Sequence, residues 1–373
     1  MAKSYLGIDV DSGHLKLVVC SGETIELVVI ELLPDNLVKD GRITSLETMS
    51  EILRDAVRKN KISTRNAALV LHSNDVFTRR IALPAMTADE LKINLPFEFK
   101  DYIAEGKDKY RFDYAILDTK RDGSEEYSPQ ETPASGLPAN AAQVESVPDA
   151  PIVMNVLAAA ALNDTITSYE NMCKRAGLKL KKAAPDIMSY AAIVDAYETR
   201  IRNAGTRSNA PGASSLMPQT PYRDFCFIDI GGSDTKVYLF PQGRYEVTRV
   251  IEVGISTLAT AVADHFGIDV TLARTYLETN YENAQNIAEC SNIYERLGIE
   301  LARIISFFNF NYPDSQLDAV YYCGIGSLVT PVIETLVEHL SIDVLDIDTV
   351  MPPSTHDHGN ARLCPAAVGI AMQ

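Results

Sequence analysis

The chain has 373 residues, 46% hydrophobic and 23% charged, with a formal charge of −16 and a pI of about 4.8. That is enough apolar material for two or three folded domains. The acidic balance, with no basic stripe along the sequence, argues against nucleic acid as a partner and against an electrostatic hold on an anionic membrane.

Residues 4–10, 15–20 and 25–33 read as three short strands separated by tight turns. The stretch "SLETMSEILRDAVRKNKI" follows at helical spacing, with Leu46, Met49, Ile52, Leu53 and Val57 on one face. "NAALVLH" is a buried strand. The texture then changes: "VFTRRIAL" is strand-like, "TADELKINLPFEFKDYI" is helical with a break or kink expected at Pro96, and "YRFDYAIL" alternates as a strand. Residues 119–150 are rich in Ser, Pro, Glu and Ala, and such a segment buries too little to offset its ordering entropy, so a disordered surface loop is expected. "IVMNVLAAAA" is a strand, "NDTITSYENMCKRAG" a helix closed by Gly177, and "LKLKKAAP" another strand. A helix follows with Asp186 at its N-cap. Residues 203–222, with their prolines, glycines and serines, read as a linker.

The second half restarts the first. "DFCFIDIG", "TKVYLFP" and "YEVTRVIEVG" give three strands at similar spacing, followed by helices at 256–265, about 270–278 and 284–308. "LDAVYYCGIGS" is a strand and turn, "LVTPVIETLVEHL" a helix, "DVLDIDT" a short strand and "PAAVGIAMQ" a small-residue helix. The repetition implies duplicated α/β domains: 1–202 with an inserted subdomain at about 75–182, then 223–373, with the last helix returning to the first domain.

The chemistry lies in the turns. "IDVDSGHLKL" at 8–17 and "IDIGGSDTKV" at 228–237 are the same strand–turn–strand, with Asp11 in the first where the second has Gly231. Backbone N–H groups in such turns form an anion nest for phosphate, and glycine lets the backbone approach the ligand. A strand-end aspartate, Asp9 or Asp229, can hold magnesium through water. "YYCGIGS" at 321–327 supplies a third glycine turn before a helix.

In this order the turns resemble the actin-like (ribonuclease H-like) ATPase superfamily, and more closely the PilM family of type IV pilus assembly. "YLGIDVDSGHLKLVV" is similar to that family's opening strand pair, and "LPAMTADELKINLPFEFKDYI" with "YRFDYAIL" to its inserted α+β subdomain. "YENMCKRAGLKLKKAAPDIMSYAAI", "AVYYCGIGSLVTPVIETLVEHLSIDV" and the closing "PAAVGIAM" resemble its later segments. The resemblance implies two actin-like domains flanking a nucleotide cleft. It implies ATP held by Asp9, Ser12, Gly13, Lys16, Asp229, Gly231, Gly232, Ser233, Thr235, Gly254, Gly324, Gly326 and Ser327, with Mg on Asp9 and Asp229. It further implies a cytoplasmic scaffold that binds the cytosolic tail of a bitopic, PilN-like inner-membrane partner in a groove at about 75–118 and 151–182. Self-association stands beside that partner as an alternative, and no direct membrane insertion is expected, since the longest apolar run, "PIVMNVLAAAAL", falls short of the roughly 20 residues of a spanning helix.

The departures from the family point elsewhere. A fixed carboxylate at Asp11 would repel a triphosphate by several kcal/mol unless a metal intervened. The adenine-contacting glutamate and lysine fall on Arg274 and Leu277, and "CGIG" lacks one glycine of the usual run. The favoured expectation is therefore a scaffold with weakened ATP binding; the alternatives are a slow ATPase that cycles a clamp, or a sugar kinase-like enzyme. A kinase would use a carboxylate such as Asp186 as base, but no sugar-gripping cluster accompanies it. Lys16 and Lys236 read either as phosphate contacts or as solvated strand-end lysines, His14 as an exposed turn residue, His356 and His358 as a surface loop, and "SFFNF" at 306–310 as core. The six scattered cysteines read as free buried thiols of a reducing compartment.

Overall fold

The computed structural model describes residues 4–39, 41–121, 152–207, 223–313, 315, 317–355 and 360–373. The chain divides into two compact units, one of residues 1–76 and 164–373, the other of residues 77–163.

The larger unit opens with the meander β1 (Ser4–Val10), β2 (His14–Ser21) and β3 (Thr24–Leu32), then a two-residue pair, β4 (Val38–Lys39) and β5 (Arg42–Ile43). Helix α1 (Leu46–Lys59) starts where the Ser45 side chain accepts the Thr48 N–H, and it buries Met49, Leu53 and Val57 on one face. Strand β6 (Asn66–Leu71) then lies parallel to β1.

The smaller unit contains β7 (Val76–Pro84), α2 (Ala88–Glu98), β8 (Tyr110–Arg121) and β9 (Ile152–Leu162), with β9 central in a three-stranded sheet. Thr87 and Glu90 form a capping box at the start of α2. Pro96 sits inside the helix, which ends at Glu98; proline removes a hydrogen bond from the preceding turn and the helix stops within one turn of it. The core of this unit is Ile81, Leu91, Leu95, Phe99, Met154 and Val156.

The larger unit resumes with α3 (Asn163–Arg175), β10 (Lys179–Pro185) and α4 (Asp186–Arg207), so that β10 completes the first sheet in the order β10-β6-β1-β2-β3. Helix α4 runs into the stretch read as a linker, and 208–222 lie outside the described residues, as do 122–150 of the expected loop, whose residues 119–121 belong instead to β8. The second half repeats the scheme with β11 (Phe225–Ile230), β12 (Thr235–Phe240) and β13 (Val247–Ile251), then α5 (Ile255–Phe266), α6 (Val270–Thr279), α7 (Ala288–Asn311), β14 (Ala319–Cys323), α8 (Thr330–His339), β15 (Asp343–Asp346) and α9 (Pro365–Met372). Its sheet runs β13-β12-β11-β14-β15. Both sheets have an antiparallel meander on one side and two parallel strands on the other. The register repeats as well: Asp9 lies opposite Lys16, and Asp229 opposite Lys236. Helix α9 packs on β1, β2, β6 and α4. The approach is close because both faces lack side chains: a Cβ on Gly7 would fall 2.0 Å from the Ala367 carbonyl oxygen, and one on Gly369 2.0 Å from that of Ser189.

Two expectations are corrected here. His14 is buried, at 2% exposure, because α6 covers the first turn. In "SFFNF" only Phe308 is core; Phe307 and Phe310 are exposed on the other side of α7, a split that its helical period enforces. His356 and His358 lie outside the described residues.

Candidate functional site

The first turn is filled by its own side chain. Asp11 Oδ1 accepts the N–H groups of Gly13 at 2.9 Å and His14 at 2.8 Å. These are the donors a phosphate would need. The other oxygen, Oδ2, lies 2.9 Å from Lys16 Nζ, which is also 3.7 Å from Asp9. Burial alone would push the Asp11 carboxyl up, but the Lys16 ammonium, His14 and the turn N–H outweigh it and hold Asp11 well below the usual carboxylate range. The same pairing raises Lys16 above its ordinary value against its burial. Lys16 is 4% exposed and tied to carboxylates, so the solvated strand end does not describe it.

A polar chain continues from Asp9. His72 Nε2 is 2.8 Å from Asp9 Oδ1, and its other nitrogen is 3.5 Å from Lys236 Nζ. Lys236 donates to Asp186 Oδ2 at 2.6 Å, and Tyr238 donates to the same oxygen at 2.9 Å. Lys236 is thus a buried ion-pair partner too. Asp186 is the first residue of α4 rather than its N-cap: its Oδ1 takes the Ile187 N–H at 2.8 Å while Oδ2 holds the second lysine. Asp229 accepts the Tyr190 hydroxyl at 2.7 Å on Oδ2, and burial pushes its carboxyl above the ordinary value. The Tyr190 and Tyr238 rings stack at 4.1 Å between these two carboxylates. His72, Tyr190 and Tyr238 carry no motif and were invisible to turn-based reading.

The second turn keeps its shape through backbone contacts. The Gly231 N–H donates to Asp234 O at 2.9 Å, and Thr235 Oγ1 donates to Val253 O at 2.7 Å, so the Thr235 hydroxyl is spent inside the fold. Gly254 packs so close that a Cβ there would fall 2.7 Å from the Ser233 carbonyl carbon. Gly324, at φ 83°, faces Asp229, and Gly326 faces Ile230. Ser12 Oγ, Asp229 Oδ1 and Ser327 Oγ are buried with no hydrogen-bond partner among the described residues.

The two turns touch. A Cβ on Gly232 would fall 2.2 Å from Ser12 Oγ. Helix α6 closes over the first turn as well: a Cβ on Gly13 would fall 2.4 Å from an Arg274 guanidinium nitrogen, Glu278 Oε1 is 3.4 Å from His14 Nε2, and Thr271 donates to Asp35. At the positions expected to have lost the adenine contacts, Arg274 is buried with its guanidinium over Gly13, and Leu277 is core.

Most of the groups that magnesium and a triphosphate would use are engaged by the protein's own side chains. Asp9 is engaged by Lys16 and His72, and one Asp229 oxygen by Tyr190. Two lysines stand among the carboxylates that a cation would join, and a carboxylate stands in the phosphate nest. Through His72 the Asp9–Lys16 pair of the first sheet is linked to Lys236 of the second.

A family model described as type IV pilus assembly protein PilM matches residues 7–129. No curated protein matches the chain. Among solved structures, a PilM–PilN type IV pilus biogenesis complex is 19% identical with a TM-score of 0.74, covering 99% of this chain and 97% of that one. The ethanolamine utilization protein EutJ from Carboxydothermus hydrogenoformans is 14% identical with a TM-score of 0.55, covering 100% of this chain and 90% of that one. The fold is therefore actin-like, and the PilM resemblance read from the sequence is borne out. No helix among the described residues is long and apolar enough to cross a membrane.

Proposed function

We propose that the chain is a cytoplasmic, PilM-like scaffold of a type IV pilus or related secretion platform, recruited to the membrane by the cytosolic tail of a bitopic partner. We further propose that its cleft is held shut by its own side chains rather than by nucleotide. The observation that carries the second part is the Asp11 carboxylate seated on the Gly13 and His14 N–H groups and neutralised by Lys16. The PilM match over residues 7–129 and the likeness to a structure titled as a PilM–PilN complex support the first.

The smaller unit offers a surface suited to a peptide. Strands β7 and β8 are the two edges of its sheet, and Phe77 of β7, Ile116 of β8 and Ile93 and Phe97 of α2 are exposed. An extended tail can add to such an edge through main-chain hydrogen bonds, with apolar side chains giving specificity. One observation favours the rival, a slow ATPase: Asp229 Oδ1 has no partner and the second turn keeps both glycines.

Calorimetry with Mg–ATP, a phosphate-release assay and pull-downs with tail peptides of bitopic assembly proteins test these readings. The scaffold predicts tail binding without nucleotide turnover. Robust hydrolysis would sink the nucleotide-free cleft, and failure of every tail would sink the pilus assignment.

A further inference from the structure

A cavity of about 580 Å³ opens between the C-terminal ends of α1 and α3. Val57, Ile62 and Ala176 line it and are buried, which makes its floor apolar. Around them stand Arg54, Arg58, Lys61, Arg65, Lys174 and Arg175. This is a concentration of positive charge in a chain whose formal charge is −16. The sequence shows no stripe because the cations come from two segments more than a hundred residues apart.

Part of the charge has a local explanation. Arg58, Lys174 and Arg175 lie in the last turns of their helices, where cations offset the partial negative charge of unpaired carbonyls. Arg54, Lys61 and Arg65 lie outside those turns. Among the described residues two carboxylates pair with the rim, Asp55 at 3.2 Å from Arg58 and Glu47 at 3.8 Å from Arg175, and both pairs are solvent-exposed. Exposed pairs of this kind are worth roughly 0–1 kcal/mol and are readily exchanged for another anion. Among the described residues, Arg54, Lys61 and Lys174 have no ion-pair partner. The backbone fixes the walls: Lys61 is held at φ 53° with the next N–H, of Ile62, donating to Val57 O at 3.0 Å, and Gly177 closes α3 at φ 79°.

We propose that this cavity binds phosphate groups. The planar fork of arginine matches phosphate oxygens two at a time, lysine adds point charge, and the apolar floor accommodates the carbon skeleton that carries the phosphate. Repulsion from the acidic remainder of the surface confines anions to this spot. The phosphate belongs either to an anionic lipid headgroup or to a soluble polyphosphate.

The test uses the full chain with two probes: co-sedimentation with phosphatidylglycerol vesicles against phosphatidylcholine vesicles, and calorimetry with tripolyphosphate. Arg54→Glu with Lys61→Glu reverses two exposed, unpaired charges, and Lys92→Glu with Lys100→Glu, exposed elsewhere, is the charge-matched control. The expected result is salt-sensitive binding of at least one probe, weakened at least about tenfold by the cavity variant and less than about twofold by the control. Binding to vesicles alone identifies a headgroup, and binding of tripolyphosphate alone a soluble ligand. The neutral pair Arg54→Gln with Lys61→Gln, checked by thermal melting, gives an intermediate loss if charge is the cause. Binding of neither probe at millimolar concentration, or equal loss in the control, overturns the proposal.

Discussion

Asp11 and Lys16, five residues apart on either side of a tight turn, form a buried ion pair at 2.9 Å whose carboxylate also caps the turn's own N–H groups. At an effective dielectric of ~20 such a pair attracts by about 6 kcal/mol before the desolvation of both ions, which costs several kcal/mol each. The pair is therefore a weak net stabiliser but a costly one to break. Asp11→Gly should destabilise the protein by about 3–5 kcal/mol, since it leaves the buried Lys16 ammonium only the longer Asp9 contact at 3.7 Å and uncovers two N–H groups. The same variant restores the nest. ATP should raise its melting temperature while leaving the parent unchanged; an equal shift in both would show that Asp11 does not block the site.

The partner residue gives the converse test. Lys16→Met should cost about 3–5 kcal/mol by removing the ammonium that Asp9 and Asp11 share and leaving them only their His72 and His14 contacts. Combined with Asp11→Asn, part of that cost should return, with a coupling energy of at least about 1 kcal/mol in a double-mutant cycle of denaturant midpoints. Simple additivity would mean the two side chains act independently.

Two titrations bracket the stable range. Asp11 is depressed in the fold, so its contribution is present above its ordinary value of 3.8 and disappears as the pH falls through the lower folded value. His14 runs the other way. Burial disfavours its charge, but Asp11 and Glu278 outweigh burial and raise it, so its contribution is complete below 6.5 and is lost as the pH rises through the folded value. Melting temperature measured against pH should therefore fall on the alkaline side of 6.5, and His14→Gln should flatten that limb relative to the parent while leaving the acid limb.

The glycine turns separate strain from crowding. Gly267 and Gly324 both have positive φ, 64° and 83°. Nothing lies within 4 Å of a Cβ at Gly267, whereas one at Gly324 would meet Asp229 Oδ1 at 2.2 Å. Gly267→Ala should cost about 1–2 kcal/mol. Gly324→Ala should cost at least about 3 kcal/mol, because backbone as well as side chain must shift. Equal losses would mean that the third turn is more pliant than its geometry indicates.

All six cysteines are free and buried, and burial pushes the thiols of Cys20, Cys173 and Cys364 up to about 12. A thiol-specific reagent at neutral pH should label them only as fast as the protein unfolds. Rapid native labelling of any one would locate a region of local opening.

Much of this was legible in the residues. The strand–turn–strand repeat, the helical faces and the order of glycine turns follow from period and turn chemistry, which are local properties. Asp11 announced itself because its copy at Gly231 sits in the same frame. Its role did not, since whether a carboxylate repels a ligand or replaces it depends on where Lys16 and two N–H groups lie in space. His72, Tyr190 and Tyr238 reach the cleft from a strand end, a helix and a strand interior, and no linear spacing links them. That the Arg274 guanidinium lies over Gly13 depends on how α6 packs on the first turn, which linear spacing does not carry. The basic cavity needs α1 and α3 side by side, an arrangement only the sheet order supplies.

The close seat of α9 on β1, β2 and β6 has a consequence for how the chain matures. A ribosome delivers Gly7 hundreds of residues before the Ala367 carbonyl against which it rests. Until then the nascent first sheet presents a bare greasy face, of the kind that chaperones recognise. Synthesis halted shortly before residue 365 should yield aggregation-prone chains, and release past that point should let them settle in a single late step.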